Sequence, residues 1–284
     1  MDAIHTLLAG FFDYAGLYPP ASLSLRSAAN NYLDYASSQH AAALGRFIIN
    51  VDRLEELRSI AGDHLKQFKL SVIATDVKSL SGISRELSDG MPIDTVEIKC
   101  VDPGVVEQIA SNFPQSLTTY IEIPFDSQGI AALDAIFGAG MRAKIRMGGV
   151  IPEAIPPVSA VIPILSALAK LRLPFKATAG LHHAIRSTQP LTYDPQSAKA
   201  TMHGFLNLCG AAAVLYFGGD EKDAEKVLHD EDRPAWRVDE DLLQWRDWKW
   251  TRDQLSILRH EFLMGLGSCS FEEPIHDLEA LGCL

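Results

Sequence analysis

Four apolar segments in the middle of the chain each carry charge where a buried strand should have none. They are TVEIKC (95–100), TYIEIP (119–124), RAKIRMGG (142–149) and PFKATAGLHH (174–183). In a strand, side chains two apart share a face. Glu97 and Lys99 therefore point one way, as do Lys144 and Arg146, while Glu122 and Lys176 stand among apolar neighbours. The spacers between these segments fit helices, which predicts strand–helix units and a parallel sheet. Strands of such a sheet are covered on both faces and normally read as unbroken apolar runs. Charges placed there must be paired, hydrated or used.

The same alternation extends to both sides. Short β-like runs stand at 7–12, 47–51 and 70–74, and a final one at 263–268. Helical spacing is read over 23–36, 77–87, 103–112, 127–137 and 153–171, and Asp52-x-x-Glu55 resembles a capping box opening a helix to about residue 60. The apolar stretch 202–217 is too long for a strand and is read as a buried helix. Thr251-x-x-Gln254 and Ser270-x-x-Glu273 open two further helices by the same capping pattern. Eight β-like runs alternating with helices predict a single (β/α)8, or TIM, barrel spanning 1–284. An open doubly wound sheet is the alternative, but the first β–α turn, DYAGLYPPAS, lacks the G-x-G-x-x-G of a dinucleotide crevice. A closed barrel also accounts for the charges, since one face of each strand looks into a lumen.

The acidic segment 218–250 interrupts the alternation between the seventh and eighth strands and holds all four tryptophans, between Trp236 and Trp250. It reads as a surface excursion with its own apolar patch, or as a lid over the site. A net charge of −11 argues against a nucleic-acid surface, which needs clustered Lys and Arg. No run approaches the length of a membrane span, and the opening residues lack a basic leader. Four scattered cysteines without C-x-x-C point to a reducing, cytoplasmic setting, with Cys100 and Cys269 read as packing residues.

Catalytic groups of such a barrel stand at the C-terminal ends of its strands. That rule collects Asp13 and Tyr14 after strand 1, Lys99 after strand 4, Glu122 after strand 5, and Lys144 and Arg146 on strand 6, while Asp13 and Tyr18 around the Pro-Pro turn are candidates for a substrate wall. Strand 7 adds Lys176, Thr178, His182 and His183, and strand 8 adds Ser268 and Ser270. A lysine beside another cation in a dry pocket has its ammonium disfavoured, and a neutral amine can attack a carbonyl. Lys176 is accordingly the candidate nucleophile or electrostatic clamp, Lys144 the like charge that tunes it, and Glu122 the proton shuttle. Asp13, Tyr18, Glu97, Lys99, Arg146, Thr178, His182, His183, Ser268 and Ser270 are the candidate substrate contacts.

The Lys-x-Thr-x-Gly pattern (Lys176, Thr178, Gly180) at a strand end resembles the lysine strand of class I aldolase-type (β/α)8 barrels, which work through a lysine Schiff base. The likeness covers about ten residues, and RAKIRMGG is similar to the Lys-x-Lys or Lys-x-Arg strands of several barrel enzymes. It implies a lyase that needs no cofactor and acts on a small anionic carbonyl compound, a keto acid or sugar phosphate, as a monomer or homo-oligomer. Two other readings stay open. One is a divalent-metal hydrolase or isomerase using Glu122, His183 and His203. The other is a ligand-binding or scaffold barrel whose 218–250 segment takes a partner.

Overall fold

The computed structural model describes residues 2–76, 78–99, 102–112 and 117–284. Eight parallel strands close into a barrel: β1 (Phe12–Tyr14), β2 (Leu44–Asn50), β3 (Leu70–Ala74), β4 (Ile93–Lys99), β5 (Thr118–Glu122), β6 (Arg142–Arg146), β7 (Phe175–Thr178) and, after an insertion, β13 (Leu263–Ser268). β13 pairs with both β7 and β1, which completes the (β/α)8 ring. Helices α2 (Leu25–Ala36), α3 (Leu54–Ala61), α4 (Ser79–Ser88), α5 (Pro103–Asn112), α6 (Ser127–Gly138), α7 (Val158–Leu171) and α11 (Glu272–Ala280) surround it.

The strands alternate as period two requires, with a departure from the usual barrel. Outward positions such as Val96, Ile98, Ala143, Ile145 and Ala177 are apolar and fully buried beneath the helices. Inward positions carry Asp13, Ser71, Glu97, Lys144 and Lys176, so the middle of the lumen is filled by charge rather than by branched apolar side chains.

The first segment departs from expectation. Of residues 7–12 only Phe12 belongs to a strand: α1 (Ala3–Leu8) is a helix capped by the Asp2 side chain, and β1 starts four residues after it ends. A short apolar run cannot distinguish a strand from a buried helix turn, and here Ile4, Leu7 and Leu8 form one buried face. The Asp52 capping box is also absent. A 3₁₀ turn over Val51–Arg53 takes the Leu54 amide on the Val51 carbonyl, so α3 starts without a side-chain cap. By contrast, the Thr251/Gln254 capping box is present in full at α10 (Arg252–Glu261).

The polar loop after His183 is a hairpin, β8 (Ser187–Pro190) with β9 (Lys199–Met202). The stretch read as a buried helix is one, α8 (Phe205–Tyr216). α9 (Glu221–His229) follows, and then a three-stranded antiparallel sheet of β10 (Trp236–Val238), β11 (Leu242–Trp245) and β12 (Trp248–Thr251). Trp236 and Trp250 pack so closely on α8 that a Cβ at Gly210 would come within 2.9 Å of the Trp236 ring. Asn207, fully buried, accepts from the Arg186 amide and donates to the carbonyls of Val227 and Asp230, tying the hairpin to α8 and α9. The Ala3 amide donates to the Glu240 carbonyl, so the tryptophan sheet also touches α1, ahead of the first strand. Among the described residues one run, Pro152–Leu171, is long and apolar enough to cross a bilayer; its Val161, Ile164, Leu165 and Leu168 are buried in this fold.

Candidate functional site

An unbroken line of alternating charges crosses the lumen. Asp13 Oδ2 lies 2.5 Å from Lys176 Nζ, which lies 2.7 Å from Glu97 Oε1. The other oxygen of Glu97 is 2.8 Å from Lys144 Nζ, which is 2.9 Å from Glu122 Oε2. β6 and β7 place the two lysines side by side in register, and Glu97 reaches them from β4. Around the line, the Ser71 hydroxyl donates to Glu97 at 2.6 Å, the Arg46 amide donates to Asp13 Oδ1 at 2.7 Å, and the Tyr120 ring lies 5.4 Å from Lys176 Nζ.

Burial alone would raise the Glu97 carboxyl, but the two ammonium groups outweigh it and hold Glu97 far below the usual carboxylate range. Burial would lower Lys176; Asp13 and Glu97 reverse that and hold it above the usual lysine range. Lys144 is raised in the same way by Glu97 and Glu122. The expected tuning of Lys176 by a like charge is therefore corrected. Glu97 stands between the lysines, so both rest as ammonium ions.

The two lysines differ in access. A cavity of about 110 Å³ opens above the line, walled by Tyr18, Ile48, Ile73, Glu97, Lys144, Arg146, Thr178, His182, Gly267 and Cys269, with Lys176 beneath it. Lys176 is 1% exposed and Lys144 6%. Arg146 is exposed at the mouth, and its Nε donates to the Gly148 carbonyl at 3.2 Å; among the described residues no carboxylate pairs with it. The loops beyond β6 and β7 touch there through Gly148 and Gly180. A Cβ on either would lie 2.8 Å from the other's Cα, and Gly180 has a positive φ of 70°.

His182 closes another side. Its Nδ1 is 3.0 Å from Glu273 Oε2, and Cys269 Sγ lies 3.8 Å from the same nitrogen. Burial would lower the imidazole, but Cys269 and Glu273 raise it to about 10. This explains why the Ser270-x-x-Glu273 pattern is half a capping box. The Ser270 hydroxyl accepts from the Glu273 amide at 3.2 Å, while the Glu273 carboxylate is committed to His182. Tyr18 stands over the cavity with its hydroxyl donating to Asn50 Oδ1 at 2.7 Å.

The structure thus brings together Asp13, Tyr18, Glu97, Glu122, Lys144, Arg146, Lys176, Thr178 and His182. Lys99 is exposed at the end of β4 and outside the cavity wall. His183 turns to Asp277 at 3.2 Å and lines a neighbouring cavity with Tyr193 of the hairpin. Ser268 is buried, 3.5 Å from His182 Nδ1, and Gly267 and Cys269 form the wall at that strand. Cys269 is therefore more than packing, and Cys100 lies outside the described residues. The proposed metal trio does not assemble. His203 Nε2 is 2.8 Å from the Pro156 carbonyl oxygen, and burial lowers its imidazole to about 4. Among the described residues no cluster of three His, Cys, Asp or Glu side chains could hold a metal. None of residues 218–250 lines this cavity.

Ser71, Arg46, Glu273 and Cys269 were not foreseen as parts of the site. Ser71 had a signal, a hydroxyl at an inward position of an otherwise apolar strand. Fold and site together define a (β/α)8 barrel with a buried lysine–carboxylate line beneath a cationic mouth. Compared with protein-family models and with curated proteins, the chain matches no family model and no curated relative.

Proposed function

We propose that this barrel is a lyase that binds a small anionic carbonyl compound, such as a keto acid or sugar phosphate, and forms a Schiff base on Lys144. The observation that carries the reading is that Lys144 opens into the cavity between two carboxylates, whereas Lys176, the lysine favoured by the local aldolase-like motif, lies beneath it. Arg146 at the mouth supplies an uncompensated cation for the substrate's anionic end.

Lys144 rests protonated and must lose a proton to attack. Glu122, 2.9 Å away with 17% of its side chain exposed, takes that proton as the amine adds to the carbonyl carbon. The new C–N bond forms and the carbonyl oxygen leaves as water, after receiving protons that trace to the former ammonium group. The product is an iminium ion, so an ammonium and a ketone give an iminium and water with charge conserved. The iminium then draws the electron pair of the adjacent C–C or C–H bond as it breaks. Lys176 stays charged and keeps Glu97 ionised beside the developing iminium. The free thiols of Cys209, Cys269 and Cys283 accord with a cytoplasmic setting.

The test is borohydride reduction in the presence of a panel of small 2-oxo acids and sugar phosphates, followed by peptide mapping. A reduced adduct on Lys144, lost in Lys144→Met, is expected. An adduct on Lys176 would reverse the assignment, and no adduct on either lysine would remove the Schiff base.

A further inference from the structure

Cys269 follows the last residue of β13, is 6% exposed, and forms part of the cavity wall. Its Sγ is 3.8 Å from His182 Nδ1 and 3.9 Å from Nε2, and Glu273 of α11 is 3.0 Å from the same imidazole. Glu273 takes Nδ1, which leaves Nε2, 3.9 Å from the sulfur, as the nitrogen that faces the thiol, so that thiol, imidazole and carboxylate from three separate elements supply an attacking atom, a base and a group that orients the base. The lysine–carboxylate line does not use them. Other titratable groups also face the sulfur. The Tyr193 hydroxyl lies 3.8 Å away, and Tyr14 is close enough that charge on the sulfur opposes its ionisation. Arg146, Lys144 and Glu97 share the cavity.

We propose that Cys269, His182 and Glu273 form a second reactive centre in this cavity, a thiolate–imidazolium pair that captures small anionic electrophiles. The proton sits on the imidazole and the attacking pair on sulfur. With a halocarboxylate, the S–C bond forms as the carbon–halogen bond breaks, the halide leaves with its electron pair, and no proton is exchanged. The cationic mouth that suits an anionic carbonyl compound also draws in a charged electrophile, although the thiol chemistry stands apart from imine formation on Lys144.

The other described thiols serve as internal standards. Cys209 is 1% exposed, and burial pushes its thiol up to about 12; burial also raises Cys283. The experiment treats the intact protein with iodoacetate, and with neutral iodoacetamide for comparison, across a pH series, reading each cysteine by peptide mapping. At neutral pH Cys269 is expected to outpace Cys209 and Cys283 by at least roughly tenfold. Its preference for iodoacetate over iodoacetamide should exceed that of a free thiol and fall in Arg146→Gln. His182→Asn should slow the neutral-pH reaction of Cys269 by roughly tenfold. Should that variant fail to fold, Glu273→Gln, at the edge of the site, should slow the same reaction by less. A neutral-pH rate for Cys269 no faster than those of Cys209 and Cys283, no modification at all, or a rate unmoved by either substitution would overturn the proposal. Failure to trap an imine on Lys144 leaves this result unchanged, because the two readouts fall on different residues.

Discussion

At the floor of the barrel, Arg259 of α10 is buried, and its guanidinium donates to the carbonyl oxygens of Leu7, Ala9 and Leu263 while lying over the Phe11 ring. Halfway up the same barrel, Lys176 is also buried but is met by the carboxylates of Asp13 and Glu97. Desolvation weighs on both cations. For Arg259 desolvation prevails and lowers the guanidinium to about 10, while the ionised partners Asp13 and Glu97 reverse it for Lys176. A carbonyl is a weak base and takes no proton from a guanidinium, so the floor is electrostatically inert. A carboxylate can take a proton from an ammonium. The half of the barrel able to do chemistry is marked less by charge than by charge whose protons can move.

The largest expected effect separates these two regions. Glu97→Gln leaves two buried ammonium groups without their shared counter-ion and should cost about 3–5 kcal/mol in urea denaturation. A loss below about 1 kcal/mol would mean that the lysines find other partners or shed their protons. The acid limb carries the same information. The folded value of Glu97 is depressed, so its contribution is complete above the unfolded value of about 4.3 and is lost as pH falls toward the folded one. Glu97→Gln should flatten that limb. Arg259→Met removes a donor from three carbonyls but leaves no charge stranded, and should cost roughly 1–3 kcal/mol with the acid limb unchanged.

A smaller effect belongs to the mouth. His182 is raised to about 10, against an unfolded value of about 6.5. A raised value stabilises fully below the unfolded one, so this contribution is intact below pH ~6.5 and declines as pH rises toward about 10. Thermal melting between neutral and alkaline pH should show the decline in the parent protein, and Glu273→Gln should reduce it. An unchanged slope would mean that Cys269, not Glu273, holds the proton on the imidazole.

The barrel was legible because period-two strands and helical spacers repeat along the chain, and charge recurring on four strands marked the lumen. What spacing could not convey was depth. Lys144 and Lys176 occupy paired positions on adjacent strands, yet the lysine of the more familiar-looking motif is the one beneath the cavity. That ordering comes from closure of the ring, which brings Asp13 and Glu97 around Lys176 from positions 163 and 79 residues away along the chain. Pairings such as His182 with Glu273 are equally remote in sequence, and Glu273 already had a local explanation as a cap. The α1 helix failed for a simpler reason, since six residues of apolar sequence fit either periodicity.

The smallest expected effect tests that account of depth. Lys99 shares a strand face with Glu97, two residues away, and sequence alone grouped them as one site. One more step along β4 carries Lys99 out of the lumen to an exposed position, where water solvates the ammonium and, among the described residues, no carboxylate pairs with it. Lys99→Ala should change stability by no more than about 0.5 kcal/mol and leave anion-dependent alkylation of Cys269 as it was. Arg146→Gln, on a side chain that is also exposed but walls the cavity, should weaken that anion dependence clearly. If the two substitutions behaved alike, the mouth would be attracting anions through diffuse surface charge. A difference confined to Arg146 would mean that position along the strand, rather than charge on the correct face, decides which cation meets the substrate.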